Sequence, residues 1–152
     1  MSPGTSSPVR VLLVDDDAAF AELMRLVLTL EGEIDIVGHA CDGSEGVRLA
    51  RALRPDVVVM DLNMPHMDGF EATRRISDGA RRPPRVVVVS SSADPGNVGR
   101  ALAAGAESFL PKDRATIELP GEIRRVAGSR GRFRLSLRTR MSELGRLAAT
   151  PS

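Results

Sequence analysis

Asp61 closes the apolar run Val57-Val58-Val59-Met60, and three further carboxylates, Asp15, Asp16 and Asp17, follow the run Val9-Arg10-Val11-Leu12-Leu13-Val14. The run before Asp61 has no polar residue and is rich in valine, so it reads as a strand buried on both faces, the kind found in parallel sheets. The functional crevice of an open α/β sheet lies at the carboxyl ends of its strands, so these acids are expected to face one another across one edge. Gathered carboxylates raise each other's pKa and repel unless a cation bridges them. Donors that are all oxygen suit a hard ion such as magnesium (Mg2+), which keeps part of its water and accepts one or two carboxylates plus a phosphoryl oxygen. An aspartate after a strand is also a common helix cap, and Asp17 is the member of the set expected to act as one.

Two later runs end in the same manner. Val86 to Val89 is followed by Ser90-Ser91-Ser92, and Ser108-Phe109-Leu110-Pro111 by Lys112. A hydroxyl and an ammonium thereby join the acids. Phosphoryl transfer spreads negative charge over three equatorial oxygens, and its catalysis is mostly positioning and charge stabilisation. A metal ion, Lys112 and Ser90 would supply that charge, with Asp61 as the reactive carboxylate. Taken singly, Ser90 reads as a turn residue and Lys112 as a solvated charge; their shared place at strand ends is what raises them.

The elements that must position these groups alternate along the chain. Phe20, Leu23, Met24, Val27 and Leu28 recur at helical spacing after Asp17 and predict a helix to about Leu30. Strands are expected at Ile34 to His39, Asp56 to Met60 and Arg85 to Val89, with helices at Ser44 to Leu53, Asp68 to Ile76 and Val98 to Ala104, the last ended by Gly105. Such alternation implies right-handed crossovers and a parallel sheet covered on both faces. The final helix is interrupted by Pro120-Gly121, so it is expected to begin near Pro120 and to be short.

Together these motifs resemble the receiver domain of bacterial two-component response regulators, a CheY-like (flavodoxin-like) fold. The resemblance rests on Val14-Asp15-Asp16, on Asp61-Leu62-Asn63-Met64-Pro65 with Asp68-Gly69, on Ser90 and on Lys112. It covers roughly residues 9 to 128 and implies a five-stranded parallel sheet in the order 2-1-3-4-5. It further implies that Asp61 accepts a phosphoryl group from a histidine kinase or phosphotransfer protein. Asp15, Asp16, Asp61 and the Asn63 carbonyl would hold magnesium, and Ser90 and Lys112 would contact the phosphoryl oxygens. Ser90 and Phe109 occupy the family's switch positions, and the phenyl ring lacks the hydroxyl of the Tyr often found there. Asn63 and Ser92 fall where the family tunes dephosphorylation. Lys112-Asp113, where many members have Lys-Pro, is familiar in receivers attached to LuxR-type output domains.

The chain has 152 residues and a net charge of +1, with four Phe and neither Tyr nor Trp, so aliphatic packing must carry the core. The lone Cys41 cannot form an internal disulfide and reads as a small residue at a strand end. His39 and His66 have no metal-ligand spacing, and His66 is expected to line the reactive loop as a spectator. No signal peptide or membrane-length apolar run is present, which leads to the expectation of a cytoplasmic protein. Residues 1–8 read as a loose leader, 9–128 as the receiver and 129–152 as a basic tail. Five arginines lie between Arg130 and Arg140.

The leading expectation is a single-domain response regulator without an output domain. It would not be an enzyme beyond its own phosphorylation and dephosphorylation, and it would switch a downstream protein partner as a monomer or a phosphorylation-dependent dimer. Two alternatives fit parts of the sequence. A DNA-binding regulator would use the basic tail for phosphate contacts, although Phe133 alone offers no stacking platform. A small phosphatase with an Asp nucleophile would use Asp15-Asp16-Asp17, but Ala19 stands where that family carries Thr or Val.

Overall fold

The computed structural model describes residues 7–128. The strands are β1 (Val9–Val14), β2 (Ile34–Ala40), β3 (Val57–Met60), β4 (Arg85–Ser90) and β5 (Ser108–Pro111). The helices are α1 (Ala18–Leu30), α2 (Gly43–Leu53), α3 (Gly69–Asp78), α4 (Pro95–Ala103) and α5 (Ala115–Gly128), with a 3₁₀ turn at Lys112–Arg114. All strand pairs are parallel and the order is β2-β1-β3-β4-β5, as the resemblance implies.

The central strands are buried on both faces because their neighbours alternate. Val11, Leu13, Val57, Val59, Val87 and Val89 pack with Met24 and Leu28 of α1 and with Leu119 and Ile123 of α5. Leu12, Val14, Val58, Met60, Val86 and Val88 pack with residues of α2, α3 and α4 on the other side. Successive side chains of a strand point to opposite faces, so an unbroken valine run supplies both cores at once.

Two helix boundaries differ from the sequence expectation. Helix α4 begins at Pro95 rather than Val98, because Asp94 caps it by accepting from the Asn97 N–H at 2.9 Å and proline is tolerated in a first turn. Helix α5 begins at Ala115 and carries Pro120 inside it. The expected short helix is therefore wrong. Pro120 costs the ladder a donor, but Ala115, Leu119, Pro120, Ile123 and Val126 are all buried on the sheet, and that burial offsets the loss. The expected basic tail and most of the leader lie outside the described residues.

Candidate functional site

The sheet register assembles the reactive groups. Val14 pairs with Met60, and the Asp61 N–H continues that ladder to the Val14 carbonyl at 2.9 Å, so Asp15 and Asp61 leave neighbouring strands side by side. Ser90 pairs with Pro111, which puts Lys112 one step beyond the edge. The Lys112 Nζ lies 2.9 Å from Asp15 Oδ2 and 3.8 Å from Asp61 Oδ2. It also stands 4.5 Å from the centre of the Phe20 ring, a cation–π contact that fixes the ammonium from the α1 side.

Each acid is held separately. Asp15 is buried, and its other oxygen accepts from the Asp17 N–H at 2.8 Å. Asp17 caps α1 through the Phe20 N–H at 3.1 Å, as expected of that member of the set. Asp16 is exposed. Behind Asp61, the loop is closed by Gly69, whose N–H donates to the Leu62 carbonyl at 3.0 Å. A Cβ on Gly69 would fall on the Asp61 carbonyl oxygen and lie 2.7 Å from the Leu62 Cα. Glycine is needed there for close approach of backbone to backbone.

Asp61 is 4% exposed, and its carboxyl is pushed up to about 6. Burial is the main cause and the Asp15 charge adds to it; Lys112 and a hydrogen bond from the Asn63 backbone pull the other way. Burial alone would lower Lys112. Its hydrogen bond to Asp15 and the charges of Asp61, Asp15 and Asp17 outweigh that, and its pKa lies above the ordinary lysine value. Asp61 is thus a carboxylate held at a cost, ionised at neutral pH beside a fixed cation. One oxygen from each of Asp15, Asp16 and Asp61 can be chosen so that all lie within 4.8 Å of one another. This all-oxygen set fits a hard divalent cation.

Ser90 is fully buried at the end of β4, where its Oγ accepts from the Ser92 N–H at 3.1 Å. Phe109 is half-buried on β5 and packs against the α2–α4 side of the sheet. Asn63 and His66 are exposed in the loop after Asp61, and His66 has a φ of 69°. Sequence reasoning missed His39, whose Nε2–H donates to the Asp15 carbonyl at 2.9 Å and braces the turn from β2. The signal was its place at the end of a strand adjacent to β1. Cys41 is exposed beyond that strand.

Residues 11–124 match the family described as the response regulator receiver domain. The chain belongs to that family. It is a receiver domain of a two-component response regulator, and its relatives share more than the fold. The transcriptional regulatory protein LiaR of Bacillus subtilis is 40% identical over 139 residues, which cover 91% of this chain and 64% of LiaR. A protein-glutamate methylesterase/protein-glutamine glutaminase of Anaeromyxobacter dehalogenans is 40% identical over 130 residues, 86% of this chain and 37% of that protein. The receiver therefore spans less than two thirds of the length of these curated relatives. Among solved structures, the signal receiver domain of the response regulator NarL from Mycobacterium tuberculosis superposes with a TM-score of 0.78 at 34% identity, covering 82% of this chain and all of that one. The CheX–CheY complex with BeF3 and magnesium from Borrelia burgdorferi gives 0.76 at 28% identity, covering 82% of this chain and 93% of its counterpart. Within the described residues, no helix is long and apolar enough to cross a membrane.

Proposed function

We propose that Asp61 is the phosphoryl acceptor of this receiver and that Asp15, Asp16, Asp61 and the Asn63 carbonyl hold magnesium. The observation that carries the reading is a buried carboxylate flanked by Asp15 and faced by Lys112 at 3.8 Å, with one oxygen of each of Asp15, Asp16 and Asp61 within 4.8 Å of the others. An Asp61 oxygen attacks the phosphorus of a phosphohistidine on a histidine kinase or phosphotransfer protein. The phosphorus–nitrogen bond breaks, and the imidazole leaves with its electron pair and takes up a proton. When bound, magnesium supplies positive charge to the phosphoryl oxygens. Lys112 moves from Asp15 toward those oxygens, and the Ser90 hydroxyl, whose oxygen accepts from the Ser92 N–H, donates its own proton to one of them. Phe109 then follows Ser90, which couples the new charge to the surface of β5 and its neighbours.

The same chemistry run with water returns the free carboxylate, so the chain acts as a phospho-acceptor with self-phosphorylation and self-dephosphorylation only. The downstream partner is a protein met in the cytoplasm by a monomer or a phosphorylation-dependent dimer. Intact mass after incubation with acetyl phosphate tests the reading, with and without magnesium, on wild type and Asp61→Asn. The expected result is a magnesium-dependent gain of one phosphoryl group that the variant lacks. Equal labelling of the variant would remove Asp61 from its role.

A further inference from the structure

The amino-terminal edge of the sheet is charged oppositely to the edge that carries Asp61. A cleft of about 1430 Å3 opens there, below the starts of β1, β3 and β4, the last turns of α2 and α5, and the connection that follows α3. Small apolar residues, among them Ala50, Pro55 and Pro84, line part of it. Its polar wall is Arg51, Arg54, Arg81, Arg82 and Arg85. Asp56 is the one acid among the lining residues, and its Oδ2 already accepts from the Arg10 N–H at 2.9 Å.

Some of these guanidiniums are explained by the fold. Arg85 lies 3.7 Å from Glu107, and Arg51 stands in the last turn of α2, where a cation meets the negative end of the helix. Arg81 and Arg82 have neither reason to be there. They are exposed in the α3–β4 connection, and among the described residues no salt bridge links them to an acid. Arg54 caps the C-terminus of α2 in the left-handed region at φ 50°, where glycine escapes the Cβ penalty. The backbone there favours the residue without a side chain, and the chain has a guanidinium.

We propose that this cleft binds a small molecule carrying two or more phosphate groups, gripped by Arg54, Arg81 and Arg82. Planar guanidinium forks match phosphate oxygens two at a time, and the three not explained by the fold suit more than one phosphate. The apolar part of the cleft can take a ring or chain joining them. No aromatic residue lines it, so it lacks the stacking platform that unpaired nucleic acid uses. The chain's own C-terminal segment is a poor occupant, because residues 129–152 carry six arginines and one glutamate, the same sign as the wall.

Calorimetric titration of the full chain tests this, with tripolyphosphate and ATP as probes, without magnesium, at about 150 mM salt so that long-range attraction is screened. The variants are Arg81→Ala/Arg82→Ala, Arg54→Gly, Asp61→Asn and the tail triple Arg130→Ala/Arg132→Ala/Arg134→Ala. Binding of tripolyphosphate should weaken about tenfold or more in the first two variants and stay unchanged in the others. Arg54→Gly separates binding from folding, since its thermal midpoint should hold or rise while affinity falls. Tighter binding of ATP than of tripolyphosphate would place the nucleoside on the apolar surface, and equal binding would assign the affinity to the phosphates alone; both support the site. No heat from either probe, equal affinity in every variant, or loss confined to the tail triple would overturn it. Tighter binding of a short DNA duplex, lost in Arg81→Ala/Arg82→Ala, would overturn it in favour of a nucleic-acid surface.

Discussion

The two edges of the sheet are built from the same strands and behave as opposites. At the carboxyl edge, Asp15, Asp61 and Lys112 are buried or nearly so and lie within 4 Å of one another in a chain, so the neighbouring charges act directly on Asp61 and on Lys112. At the amino edge, the guanidiniums of Arg54, Arg81 and Arg82 stand in solvent, where water screens each from its neighbours. Coupling, rather than the number of charges, distinguishes the edges. A substitution at the carboxyl edge should change folding, titration and chemistry together, whereas one at the amino edge should leave all three nearly untouched and alter only binding.

The largest effect should come from Gly69→Ala, which drives a methyl into the backbone behind Asp61. A loss of about 3 kcal/mol or more in denaturant unfolding is expected, together with loss of phosphoryl acceptance. A smaller loss would mean that the loop shifts freely and the edge is less rigid than its contacts imply. Next comes Asp61→Asn without divalent cations. Asp61 binds its proton more tightly in the folded chain than in the unfolded one, so stability falls as pH rises from about 4 to about 6 and stays low above that. The variant should exceed wild type by about 3 kcal/mol at pH 8 and match it below pH 4. Parallel unfolding curves at both pH values decide this, and an equal gain at both would detach the effect from ionisation.

Lys112→Ala should cost about 1–2 kcal/mol at pH 8, because it leaves two buried carboxylates facing each other without their cation, and it should raise the Asp61 pKa further. Carbon-detected NMR titration of the Asp61 carboxyl reads the second consequence directly. Smallest of all, Arg81→Ala/Arg82→Ala should stay within about 0.5 kcal/mol of wild type. A larger loss would show that the amino edge is also coupled, and the contrast would fail.

The carboxyl edge was legible in the sequence because each reactive residue directly follows an apolar run: Val14 before Asp15, Met60 before Asp61, Pro111 before Lys112. A strand's direction delivers whatever follows it to a known edge, so local pattern sufficed to place these residues at one end of the sheet. The amino edge was not legible. Arg54, Arg81, Arg82 and Arg85 meet there through two crossovers, and a net negative charge over residues 1–114 conceals the patch. His39 escaped because the order of the strands puts β2 beside β1 without saying which atom a side chain at the end of β2 reaches, and its partner is a backbone carbonyl that no motif marks. Pro120 misled more actively. Its local cost was read correctly, but the burial of Leu119 and Ile123 beneath it is a tertiary term that no local rule contains.

Because Pro120 has no N–H, the Thr116 carbonyl has no partner four residues on, and the first turn of α5 is tied to the rest of its helix by one hydrogen bond fewer. That turn follows directly on Lys112–Arg114. In the language of hydrogen exchange, the gap at Pro120 is the thinnest point of the α5 ladder, and what closes it is side-chain burial, since Ala115 and Leu119 before it are buried as fully as Ile123 and Val126 after it. Releasing the segment that carries the lysine would take Ala115 and Leu119 out of the core as well, so Lys112 is anchored by the packing of the helix that follows it and not only by the acids it faces.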